Sequence, residues 1–492
     1  MTKSPLIDGV MNYIKEGNIY FAMPGHKGGN GFLRDLKGRE LYENILRLDI
    51  TEVDGVDNLH HPEGIIKEAE DLLRDFYGSR KSYFLVNGST SGNLAMIFSS
   101  FNEGDKVIVE RNCHRSILNG IIMRKLNPIY IKNKYNRRYN APLSIDEGHF
   151  FDVLENNKDA KGIILTYPNY YGVCCDLQNI ISKAKAANMR VLIDSAHGAH
   201  FGINELLPEN ALKLGADMVV VSSHKTLPSL TQTSYLHVGK ECVVDMDKID
   251  FYVSSFLSTS PSYILMCSMD YARYYLEKEG DKDYRKLLSI ANKYREKINT
   301  IYGLHVLGEE DIKEEIGLTD VQHKHNKLID LTRYVINVQE GYSGNLLADY
   351  LRNKKIQVEM SDNQNIVLIF SPFNIEDEFE YLYNVLRELD LEIIKSDYID
   401  VANFHIPKSS MAPYEVMDSD KELIDFNLSI GRICAEAIVP YPPGVPLIMP
   451  GEIIDNDIIR VMKYCINSEI TTLGIKENKI SVVTTNTKEL EI

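Results

Sequence analysis

Three short stretches place polar residues directly after apolar runs, where a parallel sheet would deliver them to a ligand. The first is Asn87-Gly88-Ser89-Thr90-Ser91-Gly92, which follows the apolar residues 83–86. Small residues let backbone N–H groups approach an oxyanion, hydroxyls add donors, and a helix N-terminus adds positive potential, so the stretch suits a phosphate. It is neither a P-loop nor a dinucleotide glycine fingerprint. The second is Asp194, which ends the run Val191-Leu192-Ile193 and precedes Ser195-Ala196-His197-Gly198. A carboxylate at that place needs a cation or a donor. The third is Lys225 in Ser222-Ser223-His224-Lys225, directly after Met218-Val219-Val220-Val221. A lysine behind a buried strand is poorly solvated, its pKa falls, and Schiff-base chemistry opens to it. Each stretch alone has an ordinary reading: serines at a helix cap, an aspartate N-cap, a lysine snorkelling from a strand end. In this order they are what pyridoxal 5'-phosphate (PLP) requires: a phosphate cup, an aspartate for the ring nitrogen and a lysine for the aldehyde carbon.

Alternating strands and helices must position these residues. Apolar Ile65, Ile66, Ala69, Leu72, Leu73 and Phe76 predict an amphipathic helix over 65–77. Strands are expected at 83–86, 106–109, 128–131, 162–166, 190–193 and 218–221, with helices at 93–98, 116–125 and 180–187 between them. Short buried strands separated by helices mean an α/β fold with a mostly parallel sheet, whose ligands sit beyond the strands' carboxyl ends. A long helical stretch, 263–301, begins behind Pro261 and leads into a smaller α+β pattern at 327–336, 344–352, 356–360, 366–370 and 376–389. The expected division is an N-terminal arm (1–45), a cofactor-binding large domain (46–299) and a C-terminal small domain (300–492).

Composition bounds the function. Of 492 residues, 44% are hydrophobic, and 54 basic against 70 acidic residues give a net charge of −16. A surface that negative disfavours nucleic acid and anionic lipid as partners. Seven cysteines without a C-x-x-C pattern indicate neither a disulfide framework nor a zinc ribbon. His60-His61, His197 with His200, and His323 with His325 lack a matching set of cysteines or carboxylates, so no metal is expected. The start, Met1-Thr2-Lys3, meets a charge before any apolar region, and no apolar run is long enough to span a bilayer; cytoplasm is the expected compartment. Lys134, Arg137 and Arg138 form the most basic short stretch, read as a solvated loop, and Pro440 to Pro446 reads as a rigid turn.

Further motifs run the length of the chain. They are Met23-Pro24-Gly25-His26-Lys27, Asp57-Asn58-Leu59-His60, Arg111-Asn112-Cys113-His114-Arg115-Ser116, Gly431-Arg432-Ile433 and Pro450-Gly451-Glu452. With them the sequence resembles the fold-type I PLP-dependent Orn/Lys/Arg decarboxylases, and in length their short branch, which lacks the N-terminal wing domain. The resemblance implies an aspartate-aminotransferase-like large domain with a smaller α+β C-terminal domain. It also implies decarboxylation of lysine, arginine or ornithine to cadaverine, agmatine or putrescine. Carried over by position, it makes Lys225 the Schiff-base lysine, Asp194 the ring-nitrogen partner, His114 the residue stacked on the ring face and His224 a neighbour of the lysine. Ser89, Thr90, Ser91 and Ser222 become the phosphate cup, and His197 touches the cofactor where large members carry Trp. Thr259, in Ser258-Thr259-Ser260, is implied to reach a neighbouring subunit's cofactor, so a homodimer or an assembly of dimers with shared sites is expected. The cofactor core alone leaves open an aminotransferase or lyase, favoured if Arg432 points inward, and a silent binding protein. Some members carry an acidic residue before Gly431-Arg432-Ile433. Here Asn427-Leu428-Ser429-Ile430 stands instead, leaving Asp425 or Glu436 as candidates to read the substrate's distal cation.

Overall fold

The structure is a computed structural model that describes residues 3–316, 327–396, 405–440, 446–467 and 470–484. His323, His325 and residues 441–445 of the proline-rich turn lie outside these segments. Helix α1 (Ile65–Tyr77) forms as its apolar periodicity predicts, burying Ile66, Leu73 and Tyr77, and ends at Gly78 in the left-handed conformation.

The core is a seven-stranded sheet of β1 (Lys81–Leu85), β2 (Lys106–Glu110), β3 (Asn127–Ile131), β4 (Gly162–Thr166), β5 (Arg190–Asp194), β6 (Met218–Val221) and β7 (Ser234–Val238). Their order is β1-β7-β6-β5-β4-β2-β3. All neighbours run parallel except β7, which is antiparallel to both β1 and β6. The inner residues of the middle strands, Ile163–Leu165, Val191–Ile193 and Met218–Val221, are apolar and buried, as in strands covered on both faces by helices. Strand β7 has no counterpart among the expected strands. Its Ser234 and His237 break the apolar run: Ser234 Oγ donates to Val221 O at 2.6 Å, and His237 Nδ1 lies 2.7 Å from Ser82 Oγ, while His237 Nε2 is buried without a partner among the described residues.

The long helical stretch expected behind Pro261 is two helices. Tyr263–Tyr275 starts after Ser262, whose hydroxyl caps Leu265 N, and a π-helical turn at Leu276–Gly280 joins it to Asp281–Ile298. The small unit beyond has an antiparallel sheet of β8 (Leu304–Val306), β9 (Arg333–Val338), β10 (Met360–Ser361) and β11 (Asn365–Ile369), ordered β8-β9-β11-β10. Residues from Lys421 to Val483 build another small sheet with its own apolar core of Phe426, Ile448, Ile458, Met462 and Ile480. A buried bidentate ion pair, Arg111 Nη1–Glu452 Oε1 at 2.5 Å and Nη2–Oε2 at 2.7 Å, fastens that unit to the end of β2. No helix among the described residues is long and apolar enough to cross a membrane.

The N-terminal arm lies over the small unit. Ile19–Phe21 pairs in parallel with Ile356–Val358. Gly25 then packs on the segment after β6, where its N–H donates to His224 O at 2.7 Å and a Cβ would sit 2.5 Å from Leu227 O. Only glycine allows that approach.

Candidate active site

The polar strand ends converge at the carboxyl edge of the sheet. Helix α2 (Gly88–Ser100) follows β1 and starts at Gly88, whose φ of +76° turns the chain into the helix. No side chain caps its first turn, because Asn87 Oδ1 instead accepts from Ser258 N at 3.1 Å. The backbone N–H groups of that turn are thereby available to an anion. Ser89 Oγ lies 2.6 Å from Ser222 Oγ and 2.7 Å from Ser234 Oγ, which brings together the ends of β1, β6 and β7. The Ser91 hydroxyl donates back to Gly88 O at 2.7 Å, and Thr90 is exposed.

Asp194 ends β5 and is only 2% exposed. Its oxygens accept from Asn93 Nδ2 at 2.8 Å and Ala196 N at 3.1 Å, and no Lys or Arg among the described residues pairs with it. Asn93 also donates to Ser116 Oγ at 2.8 Å, which lies 2.7 Å from His114 Nδ1. His114 caps helix α3 (Arg115–Met123) by accepting from Ser116 N, so its Nδ1 is an acceptor and its proton sits on Nε2. One hydrogen-bonded chain, His114–Ser116–Asn93–Asp194, therefore fixes both groups expected to meet the ring.

Lys225 Nζ lies 3.0 Å from His197 Nε2. Burial pushes the Lys225 ammonium down in pKa, opposed by the fields of Asp194 and Glu359. Burial, and next the Lys225 charge, likewise hold His197 well below the usual histidine range. His224 Nδ1 donates to Thr233 O at 2.7 Å, and burial lowers the pKa of its ring. The edge of the His197 ring meets Tyr170, with centroids 4.9 Å apart. Tyr170 Oη donates to Glu359 Oε1 at 2.6 Å, and Met23 N donates to Glu359 Oε2 at 2.8 Å. Behind them, the buried Asp330 holds Arg333 at 2.8 Å and His200 at 3.2 Å. Burial alone would raise its pKa, but those two partners pull the carboxyl well below the usual range.

The remaining expected residues lie elsewhere. Ser258, Thr259 and Ser260 are exposed, and His60 joins this surface, with Nε2 2.8 Å from Ser258 O and Nδ1 2.8 Å from Ser254 Oγ. Asp57 of the same motif caps the start of α1 through Gly64 N and Ile66 N. Arg432 does not point into the site; it pairs with Glu422 and donates to Val483 O within its own unit. Asp425 uses a carboxylate oxygen to hold Asn427, and Glu436 is exposed. Sequence reading misses Asn93, Ser234, Tyr170, Glu359 and Arg333. Only Asn93 carries a signal, as a lone amide on an otherwise apolar helix face.

These residues fit PLP. A buried carboxylate held by neutral donors alone lacks a cation, and a protonated pyridine nitrogen would supply one at Asp194. The uncapped turn and the Ser89–Ser222 pair offer donors to a phosphate, and the Lys225 amine has a neutral histidine for its neighbour. The fold and site together define a fold-type I PLP-dependent enzyme. The structure is similar to that of the constitutive lysine decarboxylase of Escherichia coli, with a TM-score of 0.75 and 20% identity, covering 98% of this chain and 82% of the other.

Residues 4–377 match the major domain of the Orn/Lys/Arg decarboxylases and residues 399–472 match their C-terminal domain. The chain belongs to that family. It is 31% identical to an arginine decarboxylase of Bacillus subtilis, covering 98% of this chain and 97% of the relative. It is 34% identical to an arginine decarboxylase of Halalkalibacterium halodurans, covering 92% and 91% respectively. It is thus a PLP-dependent carboxy-lyase acting on a basic amino acid.

Proposed function

We propose that the chain decarboxylates arginine to agmatine in preference to lysine or ornithine, in the cytoplasm, for polyamine formation. Identities of 31% and 34% to proteins named arginine decarboxylase, against 20% to a lysine decarboxylase structure, support that order. The observation that carries recognition of a basic substrate is Glu359. Besides Asp194, it is the carboxylate whose field acts on Lys225. Asp194 is committed to the ring nitrogen, whereas Glu359 has two neutral donors and can meet a distal cation as well.

When bound, PLP supplies an electron sink for the pair left as the Cα–carboxylate bond breaks. Asp194 keeps a proton on the ring nitrogen, and Asn93 holds Asp194 in place. His114, held by Ser116, would meet the face of the cofactor ring. Lys225, weakened as a base by burial, serves as the amine that carries the cofactor. Lys225 or His224, its neighbour in the sequence, would return a proton to Cα.

The reading includes a homodimer whose sites are shared. Leu36, Leu46, Ile50, Val53 and Ile65 are exposed on a stretch that His60 ties to the Ser258–Ser260 surface. A second copy covering this patch would meet Thr259. Product analysis of the holoenzyme with arginine, lysine and ornithine tests the substrate, with agmatine formed fastest. Glu359→Gln should raise KM for arginine about tenfold or more, the value of a charge-assisted hydrogen bond, while PLP stays bound. Faster cadaverine or putrescine formation contradicts the choice of arginine, and an unchanged KM removes Glu359 from recognition.

A further inference from the structure

We infer that the cleft beneath the Arg137–Arg138 turn is a second ligand site, separate from the PLP site and built for a small organic phosphate monoester. The antiparallel strands Asn133–Asn136 and Ala141–Ile145 carry this turn out over the small unit. The turn is held rigidly: Asn337 Nδ2 donates to Arg138 O at 3.2 Å, Asn365 Nδ2 donates to Tyr139 O at 2.7 Å, and the Tyr139 side chain is fully buried. Between the turn and strands β8 and β9 lies a cavity of about 410 Å³ lined by Arg137, Arg138, His305, Gln339, Glu340 and Gln364 among others.

Its charges are poised for an anion. Arg137 forms no ion pair or hydrogen bond among the described residues. Arg138 makes one loose contact, 3.4 Å to Asp311. Asp311 is already engaged by Tyr139 Oη at 3.0 Å, His305 Nε2 at 3.0 Å and Gly308 N at 2.8 Å, so it leaves the guanidiniums largely uncompensated. Against a net charge of −16 that repels anions elsewhere, these two cations form a local basic patch that attracts them. The floor adds a second observation: Gln364 is 3% exposed and its buried Oε1, without a partner among the described residues, is an acceptor that calls for a hydroxyl or amine on the body of the ligand rather than for its phosphate. Glu340, exposed at the rim, repels a second anionic group and accepts from a hydroxyl or amine. One phosphate on a polar, hydroxylated body of nucleotide size meets all of these groups.

Titration calorimetry of the PLP-loaded enzyme with AMP and with adenosine tests the site, because the loaded cofactor keeps its own phosphate cup filled. AMP should bind and adenosine should not. Arg137→Ala should weaken AMP by about tenfold or more, with decarboxylation unchanged as proof of an intact fold. Absence of AMP binding at millimolar concentration, equal binding of adenosine, or undiminished AMP binding by the variant would each overturn the inference.

Discussion

Asp194 shows how one residue's surroundings decide its chemistry. Held by Asn93 and Ala196 and 2% exposed, it has no lysine partner among the described residues, so its carboxylate is suited to a cation docked against it. Asp194→Asn keeps the shape of the side chain but removes the charge. Turnover should fall about a hundredfold or more while the circular-dichroism spectrum is retained; a variant within twofold of wild-type turnover would exclude the role. Lys225, Asp194, Ser89 and Ser222 are legible in the sequence because each ends or follows an apolar run, where strand geometry alone fixes the destination. Glu359 and Tyr170 are not. They come from different units, and only tertiary packing brings Tyr170 Oη within 2.6 Å of the carboxylate.

At the scale of elements, periodicity identifies α1 and the parallel strands because a strand buried on both faces leaves an unbroken apolar run. Strand β7 escapes because Ser234 and His237 interrupt its apolar run, and the partners they find, Val221 O and Ser82 Oγ, lie on neighbouring strands that no local pattern reveals. The π-helical turn at Leu276–Gly280 escapes for another reason: helical periodicity continues through it, and the signal is Gly280 itself, where a Cβ would lie 2.8 Å from Ile203. The Arg111–Glu452 pair explains two motifs that composition leaves without a role. With side chains 9% and 2% exposed, it joins the strand before His114 to the C-terminal unit. Glu452→Ala would leave a buried guanidinium without its counter-charge, destabilising the protein by about 3–5 kcal/mol. Urea unfolding measures this, and a loss below about 1 kcal/mol would show that the two units are held otherwise.

The whole molecule places its chemistry where three parts meet: the large sheet supplies Asp194 and Lys225, the small unit Glu359, and the arm Met23. Its exposed apolar stretch and the Ser258–Ser260 surface lie side by side, which is the basis for a shared site. Mixing Lys225→Ala chains with Thr259→Ala chains tests this. If Thr259 serves the neighbouring subunit, random pairing makes about half the dimers hybrid, each with one intact site, and restores about a quarter of wild-type activity. No restoration would show that each chain works alone.

Lys225 is the residue proposed to hold PLP, and substrate must displace it from the cofactor before a basic amino acid loses its carboxylate. The direct measurement is borohydride reduction of the yellow holoenzyme, followed by peptide mapping and by an assay of carbon dioxide release from carboxyl-labelled arginine. A pyridoxyl group is expected on Lys225 alone, with carbon dioxide release abolished in proportion to the labelling. A label on another lysine, or undiminished release from fully labelled enzyme, would contradict it.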